Sequence, residues 1–384
     1  MSSQTRLLVL GAGRVGSAIA LDLAADSTFD VTVADRDAGR AQVFPADSAV
    51  RFLQTDLGDA GGVQSLVAPY DLVVGAVPGW MGFQTLEAVL KAGKNAVDIS
   101  FFEEDPFELD ELARDKGLTA IVDCGVAPGL GNLVLGRMEQ EFERIDSFTC
   151  LVGGLPENPT PPWNYKAPYS PSDVIEMYTR PARLLRDGKI VTVPALTEPE
   201  DIDFPGMGVL EAFNTDGLRS LLHTTSIPNL TEKTLRYKGS REQLELLATS
   251  GFFDQERVVN GELIRPLDIT SKLLFEQWHQ GPTDYDVTVM RLVFEGVREG
   301  KAVRRTYDIC DKFDRERGIS SMARTTGYPC AAVVRLVAKG SFARPGIIPP
   351  EFIGPDIDCY RAIMADIEQR GVVLKMEEVA IAGS

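Results

Sequence analysis

Four β-favouring residues, Leu7-Leu8-Val9-Leu10, run directly into Gly11-Ala12-Gly13-Arg14-Val15-Gly16, and Ala18-Ile19-Ala20-Leu21 continues with the apolar spacing of a helix. No other stretch of the 384-residue chain limits its fold as tightly. The G-x-G-x-x-G spacing at a strand-to-helix turn gives each glycine a task. Gly11 makes the tight turn, Gly13 lets backbone approach a pyrophosphate, and Gly16 lets helix and strand pack closely. The helix N-terminus then offers free N–H groups and a partial positive charge to phosphates. The same residues do not read as a secretory leader, because the apolar run is broken by three glycines and followed by Asp22. No later stretch reaches the roughly 18 uncharged apolar residues of a membrane span. A cytoplasmic protein is expected.

A second strand, FDVTVADRD, ends at Asp35, about 20 residues beyond the glycines, where an acidic side chain accepts from the adenosine ribose hydroxyls. That carboxylate would repel a 2′-phosphate, so NAD is expected as cofactor and NADP is disfavoured; the adjacent Arg36 is the counter-argument. AVRFLQTDLGD reads as a third strand with Asp56-Leu57 at its end, and YDLVVGAVPG as a fourth ending in Ala76-Val77-Pro78-Gly79. NAVDIS and LTAIVDCG are the fifth and sixth, with the helix FELDELARDKG between them. Ligands of doubly wound sheets sit outside the carboxyl ends of the strands. Ala76 to Gly79, Asp98 to Ser100 and Asp123-Cys124 are therefore expected to face the nicotinamide and its substrate. The predicted class is α/β, with a Rossmann dinucleotide-binding domain over residues 1–124.

After Gly125 the rhythm changes. GVAPGLGNLVLGRM reads as a loop entering a helix, followed by SFTCLVGGLP and the Pro-rich aromatic loop PENPTPPWNYKAPYSP. KTLRYKG and TVMRLVFEGVREGKAVRRTYDI suggest a second α/β domain on a mainly antiparallel sheet, with hairpins such as EGVREGKAV. Its expected limits are 125–322, with 323–384 packing back on the first domain through the helix ARTTGYPCAAVVRLVAKGSF. A substrate site between two such domains is the default expectation.

The net charge of −17 argues against nucleic acid or an anionic membrane as partner. Five cysteines, scattered and without a C-x-x-C pair, point to reduced thiols rather than a disulfide framework or zinc site. With two histidines, a His-based metal centre is not expected.

VDCGVAPGLGNLVLG, VGGLPENPTPPWNYK, LEAFNTDGLRSLL, LRYKG and MARTTGYPCA resemble, in order and spacing, the saccharopine dehydrogenase-like family. Within it the chain is most similar to the L-lysine 6-dehydrogenases. The resemblance implies NAD-linked oxidation of the lysine ε-amine to an aldehyde plus ammonia, with cyclisation to a piperideine carboxylate. It also implies a Rossmann domain, an α/β substrate and dimerisation domain, and a homodimer or higher homo-oligomer. Saccharopine reductases and polyamine-forming reductases share these motifs, and a non-catalytic NAD-binding protein is the alternative of another class.

Oxidising an amine requires a neutral nitrogen, hence a base, and a buried carboxylate suits that proton transfer. Asp98, Asp123 and Glu211 are the candidates, against ion pairing or loop hydrogen bonding. Cys124 has no histidine near it in sequence, and His223 reads as a cap or packing residue. Asn164 and Tyr165, with Trp163 and Lys166, either wall a substrate pocket or pack locally. Arg236 with Tyr237 suits an α-carboxylate, since an Arg fork matches it bidentately; the alternative is a strand-edge charge. Thr325, Thr326 and Gly327 read as a compact polar turn at a helix start, suited to capping or an anion.

Overall fold

A computed structural model describes residues 4–168, 171–281 and 283–382. Residues 169 and 170 of the Pro-rich aromatic loop lie outside the described residues. In chain order the elements are β1 (Thr5–Leu10), α1 (Arg14–Ala24), β2 (Phe29–Asp35), β3 (Arg51–Gln54), α2 (Ala60–Val67), β4 (Leu72–Gly75), α3 (Gly79–Lys91), β5 (Asn95–Asp98), α4 (Asp110–Asp115), β6 (Thr119–Ile121) and α5 (Leu130–Glu141). There follow β7 (Arg144–Pro156), α6 (Pro171–Thr179), β8 (Ala182–Arg186), β9 (Lys189–Val193), β10 (Glu200–Phe204), β11 (Gly208–Asn214), α7 (Leu221–Thr224) and β12 (Leu230–Tyr237). Next are α8 (Ser240–Thr249), β13 (Arg257–Val259), β14 (Glu262–Ile264), α9 (Pro266–Trp278), β15 (Asp286–Arg298) and β16 (Lys301–Lys312). The last are α10 (Ser321–Ala338), β17 (Gly346–Ile348), α11 (Ile357–Gln369) and β18 (Lys375–Ala380). No helix among the described residues is long and apolar enough to cross a membrane.

Two compact units form: the chain up to Gln140 with Ala323–Val372, and Glu141–Met322 with the chain from Val373. In the first, a parallel sheet runs β17-β6-β5-β4-β1-β2-β3. Leu7 to Leu10 are fully buried, as a central parallel strand with both faces covered requires. The order 3-2-1-4-5-6 is that of the doubly wound dinucleotide fold. The seventh strand, β17, is only three residues long and arrives from beyond α10, so no sequence rhythm announces it.

α10 lies against α1, where a Cβ on Gly327 would meet Ile19 Cγ1 at 3.1 Å. An ion cluster joins the helices. Arg335 reaches Asp22 at 2.7 Å and Asp366 at 3.0 Å, and Arg370 also binds Asp22.

The second unit holds a nine-stranded sheet, β10-β11-β12-β7-β15-β16-β18, with β8 on β12 and β9 on β8. Every pair except β12–β7 is antiparallel. β15 and β16 join through Glu299 and Gly300 (φ +51° and +70°), the left-handed pair of a two-residue hairpin turn. One sheet face carries an apolar cluster of Leu151, Leu155, Phe204, Leu210, Ala212 and Leu235. The other carries Phe213, Tyr165, Tyr178 and Trp278, beneath α6, α8 and α9.

The units depart from the expected limits in two places. α5 belongs to the first, because Gly136 sits so close to Glu351 that a Cβ would lie 2.1 Å from its carbonyl oxygen, and Asn132 donates to Glu351 at 3.1 Å. The last residues do not all pack on the first unit: β18 pairs with β16 over six residues and joins the second.

Candidate active site

The glycine turn is built by close contact. Gly11 has φ +105°, and a Cβ there would stand 2.4 Å from the Ala76 carbonyl oxygen. A Cβ on Gly16 would stand 2.2 Å from the Gly11 oxygen. No side chain fits at either position. Gly13, the N-cap of α1, has no side-chain cap, and a Cβ there would meet nothing within 4 Å. The backbone donors at this helix end thus border open space, as a bound pyrophosphate requires.

Asp35, at the end of β2, is partly exposed. Its Oδ2 accepts from the Ala12 N–H at 2.8 Å and its Oδ1 from the Asp37 N–H at 2.9 Å. Each oxygen keeps a free lone pair. The carboxylate is therefore fixed beside the turn with capacity left for ribose hydroxyls. Arg14, Val15 and Gly16 form the first turn of α1, and Arg36 is exposed next to Asp35. Asp56 is exposed and caps the Gly58 N–H at 3.0 Å; Leu57 is buried. Ala76 and Val77 lead from β4 to Pro78, the N-cap of α3.

Asp98 and Asp123 both lie at strand ends of the first unit and are nearly fully buried. The Asp98 carboxylate lies over Gly75, where a Cβ would come within 1.7 Å of Oδ2, and its Oδ1 accepts from the Ser100 N–H at 2.6 Å. The Ser100 hydroxyl is buried with no partner. Asp123 takes a left-handed backbone (φ +52°), and the Cys124 N–H bonds the Asp98 carbonyl at 3.0 Å. Cys124 is buried beside Cys330, whose thiol burial pushes up, with Cys124 adding to the shift. That suits a packed pair better than a nucleophile.

In the second unit β12 decides the geometry. Glu232, Thr234 and Arg236 point to the aromatic face, Lys233, Leu235 and Tyr237 to the other, because side chains alternate along a strand. The expected joint grip of Arg236 with Tyr237 is therefore not formed. Tyr237 donates to the Pro156 carbonyl at 2.9 Å and packs against the other cluster. Arg236 instead lies over the Tyr165 ring at 4.6 Å and donates through Nε to Tyr178 at 2.8 Å. Burial raises the Tyr178 phenol above its ordinary range, and Arg236 opposes the shift.

Glu211 is on the same face, opposite Arg236 in register. Arg241 reaches its Oε1 at 3.4 Å, while Oε2 is buried without a partner. Burial, then Glu242, raises its carboxyl. Asn164 has a left-handed backbone and is half-buried. Trp163 meets Trp278 edge-on at 6.1 Å, and Lys166 donates to the carbonyls of Gln277 and His279 at 3.2 and 3.0 Å. Those contacts are local packing.

Thr325 and Thr326 do not open a helix. α10 starts at Ser321, and the Asp286 carboxylate already accepts from the N–H groups of Ser321 and Met322 at 2.7 and 2.9 Å. The anion at that helix end is Asp286, and the threonines lie inside the helix.

Sequence reasoning missed Tyr178, Thr215 and Glu232. Glu232 is buried; its Oε2 accepts from the Thr215 hydroxyl at 2.7 Å, and that hydroxyl lies 2.9 Å from Thr234. Burial above all, with Asp216 adding, raises its carboxyl to about 8, against Thr215 and Arg236. The alternation in Glu232-Lys233-Thr234-Leu235-Arg236 was the available signal: two charged residues on one face of an interior strand.

The parallel sheet, its glycine turn and the carboxylate at the end of β2 make the first unit a dinucleotide-binding Rossmann domain, and place the chain among the nicotinamide-dependent oxidoreductases. The chain belongs to the saccharopine dehydrogenase family: residues 7–121 match the saccharopine dehydrogenase NADP binding domain and residues 125–372 the saccharopine dehydrogenase C-terminal domain. The saccharopine dehydrogenase [NADP(+), L-glutamate-forming] of Saccharomyces cerevisiae is 25% identical over 449 residues, covering 97% of this chain and 99% of that protein. The mitochondrial alpha-aminoadipic semialdehyde synthase of Mus musculus is 25% identical over 441 residues; the match takes in 94% of this chain and 47% of that protein, about half its length. The apo structure of saccharopine dehydrogenase (L-Glu forming) from S. cerevisiae shares the fold, with a TM-score of 0.80 at 22% identity over 98% of this chain and all of that one.

Proposed function

We propose that this protein is an NAD-dependent dehydrogenase of the CH–NH2 group of an amino acid, and that its substrate is the ε-amine of L-lysine. The observation that carries the reading is the buried Arg236 in company with Glu211 and Glu232 on one sheet face. A guanidinium suits one α-carboxylate, and a carboxyl that burial keeps protonated is drawn back toward its ionised form by a bound cation. The reaction converts R–CH2–NH3+, NAD+ and water to R–CHO, NH4+, NADH and a proton. NAD supplies the acceptor for the hydride that leaves the amine-bearing carbon. Gly13 and the first turn of α1 hold its pyrophosphate, and Asp35 its ribose hydroxyls. Asp98 or Asp123 takes the proton that frees the amine, and Glu211 is next in line.

The relatives named above support a second reading, oxidation of saccharopine itself with NADP. Two residues of this chain speak against it. Asp35 opposes a 2′-phosphate, whose charge is about −2 near neutral pH. Of the three arginines that could meet saccharopine's additional carboxylates, Arg183, Arg219 and Arg324, the first is held bidentately by Asp216 at 3.0 and 2.9 Å. Dissociation constants for NAD and NADP test the cofactor: NAD binds at least tenfold tighter, and Asp35→Ser narrows that gap. Equal or tighter NADP binding by the unaltered protein overturns the cofactor assignment.

A further inference from the structure

Arg236 is buried in the second unit, and three parts of that unit hold its guanidinium. Its Cζ lies over the Tyr165 ring at 4.6 Å. Nη1 donates to the carbonyl of Leu235, on its own strand, at 2.8 Å. Nε donates to the hydroxyl of Tyr178, on α6, at 2.8 Å. These contacts differ in what they fix. Attraction to a ring face sets the distance of the cation from the ring and leaves it free to turn in its own plane. The bond to Leu235 ties the side chain to its own backbone. A hydrogen bond weakens steeply away from alignment, so the Tyr178 oxygen sets the direction in which the fork points. That direction decides whether two N–H groups can meet two carboxylate oxygens at once. Such a constellation has to be held within about 10–20° of its productive geometry.

Tyr178 is itself held. It is 2% exposed, its ring packs on Phe213 of β11 at 6.3 Å, and it meets Trp278 of α9 at 6.4 Å and 80°. Trp278 also meets Tyr165 edge-on at 5.2 Å. One buried indole thus supports both aromatic residues that touch the guanidinium, in the edge-to-face packing that aromatic pairs prefer. The chemistry of the anchor matters as much as its place. Arg335 is held by the carboxylates of Asp22 and Asp366, which offset its charge. The Tyr178 phenol stays neutral, since burial raises it above its ordinary range. It directs the fork and leaves the positive charge to attract an anion.

We infer that Tyr178 is a positioning residue for the substrate: its hydroxyl aims Arg236, and it acts through that guanidinium rather than on the reacting atoms. The inference rests on the reading of Arg236 as the grip for the α-carboxylate of L-lysine.

Steady-state kinetics of the full chain with NAD and L-lysine test it, on the unaltered protein, Tyr178→Phe, Arg236→Met and the double variant. Phe keeps the ring and its packing and removes one oxygen. Tyr178→Met, whose flexible side chain refills the space, is the second variant without a hydroxyl should circular dichroism show that Phe does not fold. Tyr178→Phe should raise KM at least fivefold and leave kcat within twofold. In the double variant KM should exceed that of Arg236→Met by less than twofold, because the hydroxyl has nothing left to aim. Phe213→Leu loosens the packing beneath Tyr178 and keeps its hydroxyl, so it should lower the melting temperature and leave KM within twofold. A smaller rise in KM for Tyr178→Phe, a fivefold rise that persists on top of Arg236→Met, or an equal rise in Phe213→Leu overturns the positioning role and leaves Arg236 as the grip. An unchanged KM in Arg236→Met, or no turnover of lysine by the unaltered protein, removes the grip itself and overturns the inference with it.

Discussion

Replacing Glu232 by Gln should stabilise the second unit at alkaline pH and leave it unchanged at acid pH. Glu232 is buried, accepts from Thr215, and faces Asp216, Arg236 and Cys150. Its carboxyl rises from an ordinary 4.5 to about 8 in the folded protein. Between those values the folded state holds a proton that the unfolded chain has released, so stability falls as pH rises through this window. The contribution is fully present below about 4.5 and is lost by about 8. At 1.36 kcal/mol per unit, the loss from pH 5 to pH 8 is about 3 kcal/mol. Gln preserves the acceptor for Thr215 and supplies donors in place of the carboxyl proton. It has no charge to bury at high pH. The difference between the two proteins cancels the titrating groups that do not interact with Glu232. Thermal melts of both at pH 5, 6, 7 and 8 should coincide at pH 5 and separate steadily, Gln melting higher by roughly 6–12 °C at pH 8. Parallel curves across that range would refute the reasoning and mean that Glu232 is ionised in the folded state.

Gly13→Ala should fold normally, since its added methyl meets no protein atom, yet weaken NAD binding at least tenfold by filling the space beside the α1 donors; calorimetric titration reads this. Arg236→Met should raise KM for L-lysine more than it lowers kcat, as loss of a carboxylate grip does; a change confined to kcat would place Arg236 outside substrate binding. Asp98→Asn and Asp123→Asn keep shape and remove a base. At least one should lower turnover tenfold or more, about 1.4 kcal/mol, with folding intact; otherwise the base is elsewhere.

The first unit was legible because its signals are local. Gly11, Gly13 and Gly16 are separated by a few residues, and each strand declares itself by an apolar run closed by Gly, Pro or Asp. Asp35 could be placed because β2 fixes its distance from the turn. β17 and β18 were not legible: one has three residues, the other is largely exposed, and both exist only through pairing with distant strands. The second unit's polar face was half read. Arg236 was singled out for its charge, but treating Arg236-Tyr237 as one grip ignored the alternation that sends neighbours to opposite faces. The ring partner Tyr165 is 71 residues upstream and Tyr178 is 58, contacts no spacing rule reaches. The Thr325-Thr326 turn failed for a related reason: Asp286, far back in the chain, moves the helix start to Ser321.

The central claim is tested most directly by product stoichiometry. Purified protein is supplied with NAD and L-lysine, and NADH and ammonium are measured together. One ammonium should be released for each NADH formed, with saccharopine giving neither product. Release of L-glutamate from saccharopine with NADP, and no ammonium from lysine with NAD, would contradict the account.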